Sequence, residues 1–168
     1  MYTISIANQK GGSGKTTTAV NLAACLSMKG YRVLLVDLDP QAQASTYLRV
    51  EERSPKGSVF DALLGKTATG LPISELGLTV SSGLTLLPSS SITPDDEARL
   101  ASQPNRISRL AEGLHDVKGE YEFGIIDCPP TLGVLTQNAL MASNAVLLTV
   151  ETSYLALHGV GRLLELVQ

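Results

Sequence analysis

The stretch NQKGGSGKTTT, Asn8–Thr18, follows an alternating strand pattern, YTISIAN, and runs straight into helical spacing. Ala19, Leu22, Ala23 and Leu26 fall at i, i+3, i+4 and i+7, one buried helix face. No other feature restricts the fold as much. A glycine-rich turn between a strand and a helix bends several backbone N–H groups into one concave nest and offers the positive end of the helix to whatever sits there. The helix is expected to stop at Lys29-Gly30, a cation and then a glycine. YRVLLVD, Tyr31–Asp37, is nearly continuous in apolar residues and predicts a strand covered on both faces. Strand, helix and strand within about forty residues make a right-handed βαβ unit.

Further along, SVFDALLG predicts a short helix, residues 66–83 read as loop, and LTLLPSS reads as a strand. TPDDEARLAS carries Thr93 as N-cap, Pro94 at N1 and acids in the first turn, so a helix begins there. Ile107, Leu110, Ala111 and Leu114 mark another helix, with Arg106 and Arg109 as a small basic face. YEFGIID, Tyr121–Asp127, is a strand ending in a carboxylate; a helix over 132–142 and a strand over Ala145–Val150 follow. In the last predicted helix Val160, Leu163, Leu164 and Val167 share a face. That helix reaches Gln168 with no glycine cap and no polar turn, so the C-terminal part is expected to be missing. With no linker or repeat, the alternation predicts one doubly wound α/β domain over 1–168, its sheet mostly parallel. Ligands of such sheets bind at the carboxyl ends of the strands, where Asn8, Asp37, Asp39 and Asp127 fall.

Composition narrows the function classes. Hydrophobic residues make up 43% and charged residues 17% of 168, a globular balance. A net charge of -3 argues against a basic surface spread over the whole domain. Cys25 and Cys128 have no metal-ligand spacing, and Cys25 is expected in or near the core. His115 and His158 stand alone and read as surface or helix-end residues. The start resembles no signal peptide and no apolar run reaches the ~20 residues of a membrane span, which together predict a cytoplasmic protein with no membrane partner.

The loop itself predicts chemistry. Gly11, Gly12 and Gly14 let the backbone cradle phosphate oxygens, Lys15 at the head of the helix can reach the β and γ phosphates, the Thr16 hydroxyl can ligate Mg²⁺, and Thr17 can add a phosphate contact. Yet the common phosphate loop, G-x-x-x-x-G-K-[ST], would need glycine where Gln9 stands. The chain reads K-G-G-S-G-K-T instead, with a second lysine, Lys10.

This loop resembles the deviant Walker A loop of the ParA/MinD superfamily, whose signature lysine matches Lys10. VDLDPQAQAS resembles the first switch segment of the ParA/Soj partition ATPases. IIDCPPTLGVLTQNAL is similar to their Walker B and second switch, with Cys128 where threonine is usual, and LLTVETSYLALHGVGRLLEL resembles their next strand and helix. The resemblance implies a P-loop NTPase fold that binds ATP and Mg²⁺ through the run Lys10, Gly11, Gly12, Ser13, Gly14, Lys15, Thr16 and Thr17. It gives Asp39 the attacking water, places Asp37 near the metal's outer shell, and makes Asp127 the Walker B carboxylate on Mg²⁺. Pro40, Pro129 and Pro130 stiffen the two switch segments, and Glu151 matches an acidic family position. Catalysis would then rest on Lys10, Lys15 and Asp39, with Lys10 reaching into the opposite site of an ATP-dependent homodimer. The family further implies a ParB-like partner that stimulates hydrolysis, positioning of plasmid, chromosome or other cargo, and nonspecific DNA binding by the full-length protein, which would be nucleoid-associated. A MinD-like membrane-cycling regulator and a reductase resembling the nitrogenase iron protein remain as rivals. The first would need a C-terminal amphipathic anchor; the second, cluster-holding cysteines on each protomer.

Overall fold

The computed structural model describes residues 1–49, 56–64 and 72–150. In chain order the elements are β1 (Tyr2–Ala7), α1 (Lys15–Met28), β2 (Val33–Asp37), α2 (Gln43–Tyr47), α3 (Val59–Leu64), α4 (Ile73–Leu76), β3 (Leu78–Ser81), β4 (Leu84–Leu87), α5 (Pro94–Ala101), α6 (Arg109–His115), β5 (Phe123–Asp127), α7 (Val134–Met141) and β6 (Ala145–Leu148). The strands form one sheet in the order β3-β4-β2-β5-β1-β6. All neighbours are parallel except β3, which pairs antiparallel with β4.

Two-sided burial follows from the strand period of two. All five residues of β2 are buried. Val33 and Leu35 face a cluster with Ala19 and Ala23 of α1 and Ala44 of α2. Leu34 and Val36 face the opposite cluster, with Leu63 of α3, Leu110 and Leu114 of α6 and Leu135 of α7. The sheet is therefore doubly wound, as the alternation of elements predicts. β5 lies between β1 and β2, so the chain skips a strand when α1 carries it from β1 to β2. Such a skip opens a crevice at the carboxyl edge. The register makes that edge level: Asp127 stands beside Ile6 of β1 on one side and Asp37 of β2 on the other.

Helix ends obey their local chemistry. Gly30, at φ 92°, lets the chain turn away after the Lys29 cap of α1. Thr93 Oγ1 accepts from the Asp96 amide at 3.1 Å while Asp96 Oδ2 accepts from the Thr93 amide at 3.3 Å, a capping box with Pro94 at the first helical position.

Four expectations change. Within the stretch read as loop, residues 72–83 hold α4 and β3, because the Leu78–Ser81 edge strand alternates half-buried and exposed residues and lacks a strong apolar signal. Arg106 and Ile107 lie in turns before α6, so Arg106 and Arg109 do not share a helix face. Asn138 of α7 organises this turn, receiving the Leu110 amide at 3.1 Å and donating to the Arg106 carbonyl at 2.6 Å. Cys25 is exposed on α1 rather than packed in the core. β6 ends at Leu148, two residues short of Val150. The last predicted helix, Glu151 and His158 lie outside the described residues. Among the described residues no helix is long and apolar enough to cross a membrane.

Candidate phosphate-binding site

β1 ends at Ala7, and the loop after it is braced before it turns. Asn8 donates its side-chain amide to the Thr149 carbonyl and accepts the Lys10 amide at 3.0 Å. Ser13 Oγ pairs with Thr149 Oγ1 at 3.2 Å. Gly12 and Gly14 then take left-handed backbone angles, φ 73° and 85°, which a side chain would strain. A Cβ built on Gly11, Gly12 or Gly14 would meet nothing within 4 Å, so the loop opens onto free space. Gly14 caps α1 with no side-chain bond, and the first turn has no acid. The early amides of a fourteen-residue helix and its positive pole therefore point at that space, ready for an anion.

The space is a cavity of about 350 Å³. It is lined by Gly11, Gly12, Gly14, Lys15, Thr16 and Thr17 of the loop and helix start, and by Asp39, Gln41, Gln43, Tyr47 and Pro130. Lys15 is only 6% exposed, and its ammonium donates to the Lys10 carbonyl at 3.1 Å across the loop. Asp39 is 5% exposed, and its Oδ1 accepts the Gln41 amide at 2.9 Å.

Side by side at the ends of β2 and β5 are two buried carboxylates with different surroundings. Asp37 is fully buried; its Oδ2 accepts from the Ser45 amide at 2.8 Å and hydroxyl at 2.7 Å, and its Oδ1 from the Asp39 amide at 3.3 Å. Burial pushes its pKa up to about 6 against the pull of those donors. Asp127 is also fully buried, and neither of its oxygens has a hydrogen-bond partner of good geometry. Burial raises its pKa to about 7; the neighbouring Thr16 hydroxyl and Lys15 hold it down, and Asp37 and Asp39 push it further up. An unsatisfied buried carboxylate is costly. A divalent cation between Asp127 and Thr16 would satisfy it, so the donor set fits Mg²⁺. Among the described residues no three His, Cys, Asp or Glu side chains could converge on one ion. Most ligands would therefore come from phosphate and water, the usual habit of Mg²⁺.

The structure thus gathers Gly11, Gly12, Gly14, Lys15, Thr16, Thr17 and Asp39 on one cavity, while Asp37 and Asp127, paired at the ends of β2 and β5, are buried and do not line it. Ser13 turns to Thr149, and Lys10 stands exposed at the loop's outer edge. Sequence reading missed Gln41, Gln43 and Tyr47 as wall residues. The only signal was the four-residue spacing of Gln43 and Tyr47, which puts them on one face of α2. Cys128, next to Asp127, is buried with its thiol pushed up to about 12, so it is no nucleophile.

A family model described as "AAA domain" matches residues 1–168. The sporulation initiation inhibitor protein Soj of Bacillus subtilis is 43% identical over 165 residues, which cover 98% of this chain and 64% of that protein. The chromosome partitioning protein ParA of Myxococcus xanthus is 44% identical over 161 residues, 95% of this chain and 56% of that protein. The chain thus spans less than two thirds of the length of either relative. Among solved structures, cobyrinic acid a,c-diamide synthase from Mycobacterium smegmatis with bound ATP analog and magnesium superposes with a TM-score of 0.90 at 38% identity, covering 99% of this chain and 67% of that one.

Proposed function

The chain belongs to the ParA/Soj-type partition ATPases of the ParA/MinD superfamily, and from that membership we propose that its cavity binds ATP with Mg²⁺ and hydrolyses the γ-phosphate. One observation carries the reading: a buried Asp127 carboxylate whose oxygens have no hydrogen bond of good geometry, close to Thr16 and Lys15 of the glycine loop. The loop amides and the α1 terminus would hold the phosphates, and Lys15 would offset their charge. Thr16 and Asp127 would hold Mg²⁺, with Asp37 behind them; the ion supplies positive charge against the developing negative charge of phosphoryl transfer. Asp39, also on the cavity lining, would orient the attacking water.

Lys10 lies at the rim rather than on the cavity wall, so it suits contact with a second copy. We assign it to the opposite site of an ATP-dependent homodimer. Slow hydrolysis stimulated by a ParB-like partner, positioning of plasmid, chromosome or other cargo, and nonspecific DNA binding by the complete protein follow from the same membership. So does a cytoplasmic, nucleoid-associated location, and we read residues 1–168 as one domain. The synthase named among the solved structures has the same fold at this likeness, but a fold hosts many chemistries. The named partition proteins and the Lys10 loop favour the partition reading.

The test is calorimetry of ATP with and without Mg²⁺, paired with phosphate release from the complete reading frame. Tight Mg²⁺-dependent ATP binding with slow turnover is expected. Absence of nucleotide binding would overturn the proposal.

A further inference from the structure

Ser45 and Ser89 close a buried polar circuit around Asp39. Ser45 Oγ donates to Asp37 Oδ2 at 2.7 Å and accepts the Ser89 amide at 3.2 Å. Ser89 Oγ in turn donates to the backbone carbonyl of Asp39 at 2.6 Å. The Asp39 amide returns the circuit to Asp37 at 3.3 Å. Three separate pieces of chain meet here: the end of β2, the start of α2 and the segment after β4. Ser45 is 2% exposed and Asp37 fully buried, so water competes poorly for the bonds to Asp37, while Ser89 is half-buried.

The segment held in this way is strained. Ala42, between Asp39 and α2, adopts φ 51° and ψ 37°, the left-handed region that a side chain disfavours. Its amide donates to the Asp39 carbonyl at 2.9 Å, the same oxygen that receives Ser89. Strain of this kind persists only where neighbours over-determine the conformation. The circuit supplies that constraint, and it ends on the residue that faces the cavity.

We propose that Ser45 and Ser89 are positioning residues that latch the Asp39–Ser45 segment against β2 and so hold the Asp39 carboxylate at the cavity wall. This rests on the reading of Asp39 as the water-orienting group. Both hydroxyls lie outside the cavity lining, so neither touches the nucleotide; Ser89 bears on Asp39 directly, and Ser45 bears on it through Asp37 and the Ser89 amide.

The test compares wild type, Ser45→Ala, Ser89→Ala and Ser45→Thr in the complete reading frame, with two readouts. Hydrogen exchange of amides 39–45, measured without nucleotide, should accelerate about tenfold or more in both alanine variants and return toward wild type in Ser45→Thr, which keeps the hydroxyl. In phosphate release, kcat should fall roughly tenfold or more in the alanine variants while ATP affinity stays within about twofold, since small misplacements of a catalytic group are costly. Unchanged exchange in Ser89→Ala overturns the latch. Accelerated exchange with unchanged kcat overturns its role in positioning Asp39. A wild type that binds no ATP overturns the functional reading instead, and exchange still reports on the latch.

Discussion

The ammonium of Lys15 donates to the backbone carbonyl of Lys10 at 3.1 Å, so the loop's two lysines meet through one side chain and one peptide group. Their side chains therefore separate by role: Lys15 is turned inward and almost wholly buried, while Lys10 is exposed at the outer edge. Lys15→Ala removes the inward cation and one closure of the loop. Charge-assisted hydrogen bonds contribute roughly 1.5–3 kcal/mol each, or about ten- to hundred-fold in affinity. Mg²⁺–ATP binding should weaken by that factor. Calorimetry measures it, and undiminished affinity would remove Lys15 from the phosphate site.

Asp39→Ala separates binding from hydrolysis. Asp39 lines the same cavity as the glycine loop. Losing it removes no phosphate donor, so ATP affinity should hold within about twofold, while loss of a positioned acid–base group costs about 10²-fold or more in turnover. Single-turnover phosphate release with prebound ATP isolates the step. Wild-type turnover by this variant would reassign the water to another group.

Much of this was legible in the sequence because local and tertiary signals agree there. β1, the glycine loop, α1 and β2 each carry their own pattern, and the strand-end acids follow once the sheet is parallel. What escaped depended on contacts from far along the chain. α2 is only five residues long, and its place is set by Ser45 bonding to Asp37 and Ser89, pairs no periodicity records. The turn at Arg106 is set by Asn138, thirty-two residues away. The edge strand β3 is only four residues long, and its pairing with β4 fixes it. Cys25 shows the opposite error: an apolar residue type led to a core assignment for a helix position that faces solvent.

The buried carboxylates predict a pH dependence of stability. Asp127 has an ordinary pKa of 3.8 that rises to about 7 in the folded protein, chiefly through burial. Between those values the folded state binds more protons than the unfolded one, so stability falls as pH rises. The penalty is complete above about pH 7 and is relieved as pH drops toward 4. Asp127→Asn keeps the shape without the charge. In chelator, thermal melts at pH 8 should place this variant above wild type, by about 4 kcal/mol if the whole shift is realised. The difference should shrink as pH falls through 6. Added Mg²⁺ and ATP should stabilise wild type and do little for Asp127→Asn. A wild-type melting temperature independent of pH relative to the variant would contradict the assignment.

Lys10 supplies the sharpest test, because a residue acting in the opposite site can be complemented. Gly11 and Gly12 follow it with no side chains to hold a second copy away, and a Cβ at either would meet open space. In a two-fold dimer each such contact occurs twice. Lys10→Ala should retain ATP binding, since Lys15 and the loop amides stay, but dimerise poorly with ATP and lose most of its turnover, as loss of a trans-acting cation at the γ-phosphate would dictate. Asp39→Ala fails for the reason given above. When the two variants are mixed, a heterodimer holds one site with Asp39 in cis and Lys10 in trans. In an equal mixture half the dimers are mixed and one site in each is intact, so about a quarter of wild-type activity should return if pairing is random. Light scattering follows the dimer, and phosphate release follows the activity. No recovery in a mixture that demonstrably forms heterodimers, or full turnover by a strictly monomeric Lys10→Ala protein, would return Lys10 to the surface as an ordinary lysine.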